Sequence, residues 1–284
     1  MILNASGCLD ALTAPKVARS LDAYVAKTVT PEPRLGNSQP RLAETDFGML
    51  NSIGLQNPGI ERFRSEVLPR LEELEIPLWI SVGGSDAAEY ARVCERVGER
   101  ESVSALELNL SCPNVDSAAA AAAEIVSACR AATGKPLYAK LSPLLPDIAE
   151  VAVSVIEAGA NGLSLVNSLR GLALDNWTLE PRLGRAVGGY SGAALRPVAL
   201  AVVFLCYEAT KGKVPIVGMG GVQNGKQALD LIAAGASDVA LGSILFSDLE
   251  APERVRAELH EEARARGFER PEMARGAAHR PRSD

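Results

Sequence analysis

Eight short runs of leucine and β-branched residues alternate with stretches of helical periodicity from one end of this chain to the other. That alternation limits the fold more than any other feature. The runs cover residues 2–4, 24–29, 78–82, 105–110, 137–141, 162–166, 214–217 and 238–241. The helical stretches cover 60–74, 86–97, 117–132, 148–158, 193–209, 225–234 and 252–266. Strand–helix alternation predicts a parallel sheet with right-handed crossovers. Eight strands suit a closed (β/α)8 TIM barrel. An open doubly wound sheet is the competitor, and no GxGxxG follows an early strand to support it. The expectation is a single α/β barrel domain over residues 1–266, with an Arg-, Pro- and Ala-rich tail at 267–284 that frays. Two stretches break the repeat, 30–57 and 175–191. Both are long, contain Pro and Gly, and are expected to be excursions over one face of the barrel.

What the chain lacks narrows its chemistry. Its two histidines, His260 and His279, both lie near the C-terminal end, which argues against a Ser–His–Asp triad, a Cys–His dyad or a His-rich zinc site. The five cysteines (Cys8, Cys94, Cys112, Cys129, Cys206) form no CxxC pair, the pattern of a reduced intracellular protein without its own iron–sulfur or zinc ligands. A formal net charge of -6 speaks against nucleic acid as a partner. No run long enough to span a membrane is present, so a cytoplasmic location is expected.

In an α/β barrel the site lies at the C-terminal ends of the strands, and polar residues and glycines gather there in this sequence. Gly218-Met-Gly-Gly221 and Gly242-Ser243 follow the last two strands, where bare backbone N–H groups commonly hold phosphate; tight turns are the plainer explanation. Asn109-Leu-Ser-Cys-Pro-Asn114 closes the fourth strand and puts a thiol at the mouth, as base, nucleophile or merely a small buried residue. Cys94, Cys129 and Cys206 fall on helices and read as core; Cys8 is ambiguous. Lys27 and Lys140 each end an apolar strand, where a lysine either holds an anion or snorkels to solvent. Asn51, Asn109, Asn114 and Asn167 pair a donor with an acceptor, matching the edge of a heterocyclic imide. Asn57, before Pro58, is better read as a turn residue.

In order along the chain, these segments resemble the dihydroorotate dehydrogenases, flavin enzymes of pyrimidine synthesis. The matching segments are Asn4-Ala-Ser-Gly7, Lys27-Thr-Val-Thr30, Pro33-Arg-Leu-Gly-Asn37, Asn51-Ser-Ile-Gly-Leu-Gln-Asn-Pro-Gly59, Glu107-Leu-Asn-Leu-Ser-Cys-Pro-Asn114, Lys140-Leu-Ser-Pro143, Val166-Asn-Ser168, Gly188-Gly-Tyr-Ser-Gly192, Gly218-Met-Gly-Gly221 and Gly242-Ser243. The resemblance implies a barrel containing flavin mononucleotide (FMN) that oxidises dihydroorotate to orotate. It gives Cys112 as the base for the C5 proton, with the C6 hydride passing to flavin N5, and Lys140 as the charge beside the flavin N1/O2 edge. Substrate would be held by Asn51, Asn109, Asn114, Asn167 and Ser168, and its carboxylate by the backbone of Ile53, Gly54 and Leu55. Flavin contacts would come from Ala5, Ser6, Lys27, Thr28, Asn109 and Lys140, with phosphate on Gly192, Gly220, Gly221, Gly242 and Ser243.

Cysteine at position 112, where membrane-associated members carry serine, is similar to the soluble class 1 enzymes. Lys140-Leu-Ser-Pro143 together with Gly218-Met-Gly-Gly221 leans towards the branch that reduces NAD through an iron–sulfur, FAD-containing partner subunit; the fumarate-using branch stays open, and a homodimer is implied. Three departures stand out. Strand one opens at Ile2 without the family's short N-terminal hairpin, Val115-Asp116-Ser117 runs into alanines where a lid loop is usual, and Ser168 replaces a commoner threonine. The shortened lid leaves two other readings, a related flavin reductase acting on another pyrimidine or enone, or a flavin-binding paralogue without this activity.

Overall fold

The computed structural model describes residues 1–110 and 118–280. Its strands in chain order are β1 (Ile2–Asn4), β2 (Tyr24–Val29), β3 (Leu42–Thr45), β4 (Gly48–Asn51), β5 (Leu78–Val82), β6 (Val103–Leu110), β7 (Leu137–Leu141), β8 (Gly162–Leu165), β9 (Leu169–Leu172), β10 (Val187–Ser191), β11 (Ile216–Met219) and β12 (Asp238–Leu241). Eight of them hydrogen-bond in the order β1-β12-β11-β8-β7-β6-β5-β2, every ladder parallel, and these eight are the runs the sequence predicts. The (β/α)8 barrel is therefore observed.

The ring closes between β1 and β2, which share only one bridge, Leu3↔Ala23. A side chain completes the join. The amide of Asn4, fully buried, donates from Nδ2 to Val25 O at 2.8 Å and accepts from Val25 N at Oδ1, also at 2.8 Å. One asparagine thus satisfies the two backbone groups that a ladder partner would otherwise have taken.

Inside the barrel, the lower layer is apolar. Leu3, Val25, Ala105, Val217 and Ala240 pack with Trp79, whose ring meets Tyr138 at 4.4 Å between centroids. Gly162 makes room for that ring, since a Cβ there would stand 2.5 Å from Tyr138 Cε1. Two residues further along the same strands the inward positions turn polar: Ser81 after Trp79, Glu107 after Ala105, Lys140 after Tyr138. The barrel floor is greasy and its mouth is not.

The outer layer comprises α1 (Pro15–Arg19), α2 (Ile60–Arg62), α3 (Leu68–Glu72), α4 (Ala87–Gly98), α5 (Ala118–Ala132), α6 (Ile148–Glu157), α7 (Arg196–Ala209), α8 (Gly225–Ala234) and α9 (Ala251–Ala265). Asp86, Asp147 and Asn224 cap α4, α6 and α8 by accepting from the N–H three residues on. The stretch expected as one helix over 60–74 is α2 and α3 joined through a π-helical turn, Phe63–Val67, with Pro69 just beyond it. Five-residue α1 is too short to show periodicity and was not expected.

Two differences from the sequence expectations concern longer segments. The excursions are not irregular loops: they pair as an antiparallel sheet β3-β4-β10-β9. The tail also differs, because 267–280 packs on α7, α8 and α9 instead of fraying. Arg275 donates to Gly235 O (3.0 Å) and Val214 O (2.7 Å), Gly276 N donates to Ile232 O, and the His279 ring stacks on Phe204 at 3.9 Å. The physical reason is that the guanidinium satisfies the Gly235 carbonyl at the C-terminal end of α8, where a cation is favoured, and the Val214 carbonyl just before β11. Among the described residues no helix is long and apolar enough to cross a membrane.

Candidate active site

Lys140 is the anchor. It rises from β7 into the barrel with only 6% of its side chain exposed, paired at 3.3 Å with Glu107 Oε1, whose side chain is 2% exposed, and its Nζ donates to Ser6 Oγ at 2.9 Å. An isolated ammonium would not stay charged at such a depth. A carboxylate partner and a hydroxyl acceptor offset the desolvation.

Around it runs a chain of uncharged polar groups. Thr28 Oγ1 shares a hydrogen bond with Ser81 Oγ (2.9 Å) and accepts from Asn109 Nδ2 (3.2 Å). Asn109 Oδ1 accepts from Asn167 Nδ2 (3.0 Å), and Asn167 Oδ1 accepts from Ser168 N (2.9 Å). Tyr90 donates its hydroxyl to Asn109 O at 2.6 Å and holds the end of β6 from α4. Each amide's orientation follows from its neighbour's, so the row is ordered from strand to strand. A register shift in β2 between Ala26 and Val29 swings Thr28 into this row.

The second wall is the turn after β4. Gly54 and Leu55 take φ of +73° and +53°, and among the described residues the N–H groups of Ile53, Gly54 and Leu55 find no acceptor. Positive φ is costly for leucine and is tolerated where the turn is held from outside. Asn37 holds it, donating from its backbone N to Ile53 O (3.0 Å) and from Nδ2 to Ser52 Oγ (3.0 Å). Asn57 locks the far end through Leu55 O, Thr30 and Gly59 N, the turn role expected of it. Asn51 Nδ2 donates to Gly189 O at 3.0 Å, joining β4 to β10.

A cavity of about 900 Å³ opens between these walls, and Asn51, Ile53, Gly54, Leu55, Asn109, Asn167 and Ser168 all line it. The structure thus gathers the described part of the expected substrate set. Cys112 and Asn114 lie outside the described residues. The glycine loops follow the neighbouring strands β11 and β12. Gly220 and Gly221 have φ of +127° and +74°; a Cβ on Gly221 would come within 2.9 Å of Ala193 O and Arg196 N, so this loop abuts the segment leading into α7. Gly192 backs onto the cap instead, where a Cβ would stand 2.4 Å from Gly48 Cα. At Gly242 the nearest atoms to a Cβ are Ala5 Cβ (3.8 Å) and Cys8 Sγ (3.9 Å), which brings the loops after β1 and β12 together. The backbone N–H groups of Gly220, Gly221, Gly242 and Ser243 donate to no described acceptor.

Lys27 stands apart from the hydrogen-bonded row, over a smaller cavity of about 300 Å³ shared with Gly7 and Asp10, and burial and Arg41 push its pKa down against the pull of Asp10. Cys8 sits beside the Gly242 loop, where burial raises its pKa more than Lys140 lowers it. Cys94, Cys129 and Cys206 are buried on helices, as expected, and free.

The dihydroorotate dehydrogenase family profile matches residues 1–262. The chain belongs to that family. It is 46% identical over 237 residues to the "Dihydroorotate dehydrogenase B (NAD(+)), catalytic subunit" of Latilactobacillus sakei, covering 80% of this chain and 76% of that protein. It is 40% identical over 259 residues to the protein of the same name from Geobacillus kaustophilus, covering 87% and 82%. A crystal structure of DHODH from Eimeria tenella in complex with ferulenol shares the fold, with a TM-score of 0.82 at 24% identity over 99% of this chain and 85% of that one.

Dihydroorotate dehydrogenases use FMN, and the residues here suit it. Among the described residues Ser164 Oγ, on the strand beside Lys140, is buried without a partner, and the unsatisfied N–H groups of the β11 and β12 loops are donors of the kind a phosphate takes. Sequence reasoning assigned no role to Glu107, Ser81, Tyr90 or Gly189. A signal for Glu107 did exist, because a carboxylate inside an apolar strand needs a buried partner. Gly189 had none, since its reason is long-range: a Cβ there would lie 2.2 Å from Ser168 Oγ.

Proposed function

We propose that this dihydroorotate dehydrogenase oxidises dihydroorotate to orotate in pyrimidine biosynthesis by a division of labour between the two walls of its cavity. One observation carries the reading: a row of interlocked amides, Asn109–Asn167, opens into the mouth beside a buried, ion-paired lysine. Amides offer a donor and an acceptor to each side of an imide without adding charge, and they orient the ring. Asn51, Asn109, Asn114, Asn167 and Ser168 take that role. The free N–H groups of Ile53, Gly54 and Leu55 receive the carboxylate.

Cys112, two residues past the end of β6 in the sequence, removes the C5 proton and carries it away from the ring. When bound, FMN supplies the two-electron acceptor for the hydride leaving C6. Ala5, Ser6, Lys27, Thr28, Asn109 and Lys140 hold its ring system, and Gly192, Gly220, Gly221, Gly242 and Ser243 hold its phosphate. Lys140 keeps a fixed positive charge at the base of the site, with Glu107 aiming its ammonium towards Ser6, so negative charge developing nearby is stabilised without reorganisation. The antiparallel cap keeps bulk water off the substrate face.

The relatives' name, catalytic subunit of an NAD-linked enzyme, supports delivery of the electrons to NAD through a separate subunit containing FAD and an iron–sulfur cluster. A homodimeric core and a cytoplasmic location complete the reading; the four described cysteines, all free, agree with the latter. Purified protein should be yellow and bleach with dihydroorotate under anaerobic conditions. Cys112→Ala should keep the colour and lose most of the bleaching rate. A yellow protein that dihydroorotate never bleaches would refute the substrate assignment.

A further inference from the structure

The charge on the rim of the large cavity is at odds with the rest of the molecule. The chain carries 35 acidic against 29 basic residues, yet among the described residues no aspartate or glutamate lines this cavity, whereas Arg170 and Arg185 do. Acids occur on the same excursions (Glu44, Asp46, Asp175 and Glu180), but none of them lines the cavity.

The two arginines also differ from most others in how they are occupied. Arg62, Arg64, Arg92, Arg96, Arg100 and Arg254 each pair with a carboxylate on the barrel exterior. Arg170 makes no ion pair or side-chain hydrogen bond among the described residues. Among the described residues the sole polar contact of Arg185 is a long one, 3.5 Å from Nη1 to Asn37 Oδ1. That contact places it over the turn whose free N–H groups are assigned the carboxylate, because Asn37 packs directly on Gly54. Arg170 lies on β9 opposite Gly189, two residues beyond Ser168. One guanidinium therefore stands outside each wall.

We propose that Arg170 and Arg185 are a steering pair for the substrate's carboxylate, a role that rests on the assignment of dihydroorotate above. They draw the anion into the mouth of an otherwise acidic protein and release it inward to the turn at Ile53–Leu55. A cleft lined by one sign of charge focuses the field and raises the association rate, more so at low ionic strength. Exposed guanidinium groups without a carboxylate partner keep their whole charge for this task. Being on the rim, they act on capture and not on the chemical step.

The test uses the FMN-loaded enzyme and stopped-flow binding of orotate, read by the flavin spectrum, together with steady-state turnover of dihydroorotate, each from low to high salt. Arg170→Gln with Arg185→Gln should lower the orotate association rate and kcat/KM about tenfold at low salt, with kcat changed less than twofold. The gap should shrink to about threefold or less at 0.5 M salt, where the Debye length is only a few ångström. The double lysine variant should recover most of the loss, since it restores charge without shape. Unchanged association rates in the glutamine variant would overturn the proposal. So would a loss that ignores salt or that lysine fails to rescue, because either result makes the arginines structural. If wild-type enzyme neither binds orotate nor turns over dihydroorotate, the substrate assignment fails instead, which is a separate result.

Discussion

The barrel and the cap above it are both β-sheets, but they are built on opposite terms. Barrel strands are buried on two faces: Leu78–Val82 and Gly162–Leu165 expose none of their residues. Cap strands are half exposed, with Leu42, Leu172 and Val187 each about half open to solvent. The barrel's ladders join successive barrel strands, apart from β1 with β12, whereas β4 meets β10 across well over a hundred residues. A wall buried on both sides is stabilised by its own apolar content. A cap of this kind is held by a few specific contacts to the wall, so it can shape a binding site without contributing most of the stability.

The comparison predicts that barrel substitutions lower stability while cap substitutions weaken binding. Lys140→Met should have the largest effect. It strands Glu107 as an unpaired buried carboxylate and should cost about 3–5 kcal/mol in urea unfolding, with turnover lost as well. Asn4→Leu leaves both backbone groups of Val25 unsatisfied at the closing seam, so a loss of about 3 kcal/mol is expected by the same measurement, and a loss below about 1 kcal/mol would show that the seam is closed by other means. Gly189→Ala pushes Ser168 out of place from the cap side; KM for dihydroorotate should rise about tenfold while the unfolding midpoint moves little. Comparable falls in stability and binding would mean that cap and barrel form one cooperative unit. Smallest of all, Arg275→Ala should cost about 1 kcal/mol of stability, read by thermal unfolding, with KM unaltered, since it loosens only the C-terminal segment against α8.

The same contrast accounts for what could be read from the sequence. Every barrel strand was legible because burial on two faces writes a continuous apolar run, as in Leu78–Val82. The cap was not: Leu42–Thr45 alternates weakly, and Gly188 and Gly189 look like turn residues until Asn51 and Ser168 are seen against them. The segment 267–280 reads as solvated because its arginines carry charge, and nothing local shows that Arg275 ends on carbonyls. In the site, Asn51, Asn109, Asn167 and Lys140 were legible from type and place at strand ends. Tyr90 and Gly189 matter through contacts that cross between helix, strand and cap, which no local pattern encodes.

The position of β1 in the ring sets an order on assembly. Its ladder partner is β12, through Ile2↔Val239 to Asn4↔Leu241, so this strand cannot be zipped in on that side until the far later β12 has been made. During synthesis the segment that carries Ser6 to Lys140 waits unpaired on that side, and the polar mouth is completed only after β12 has been made.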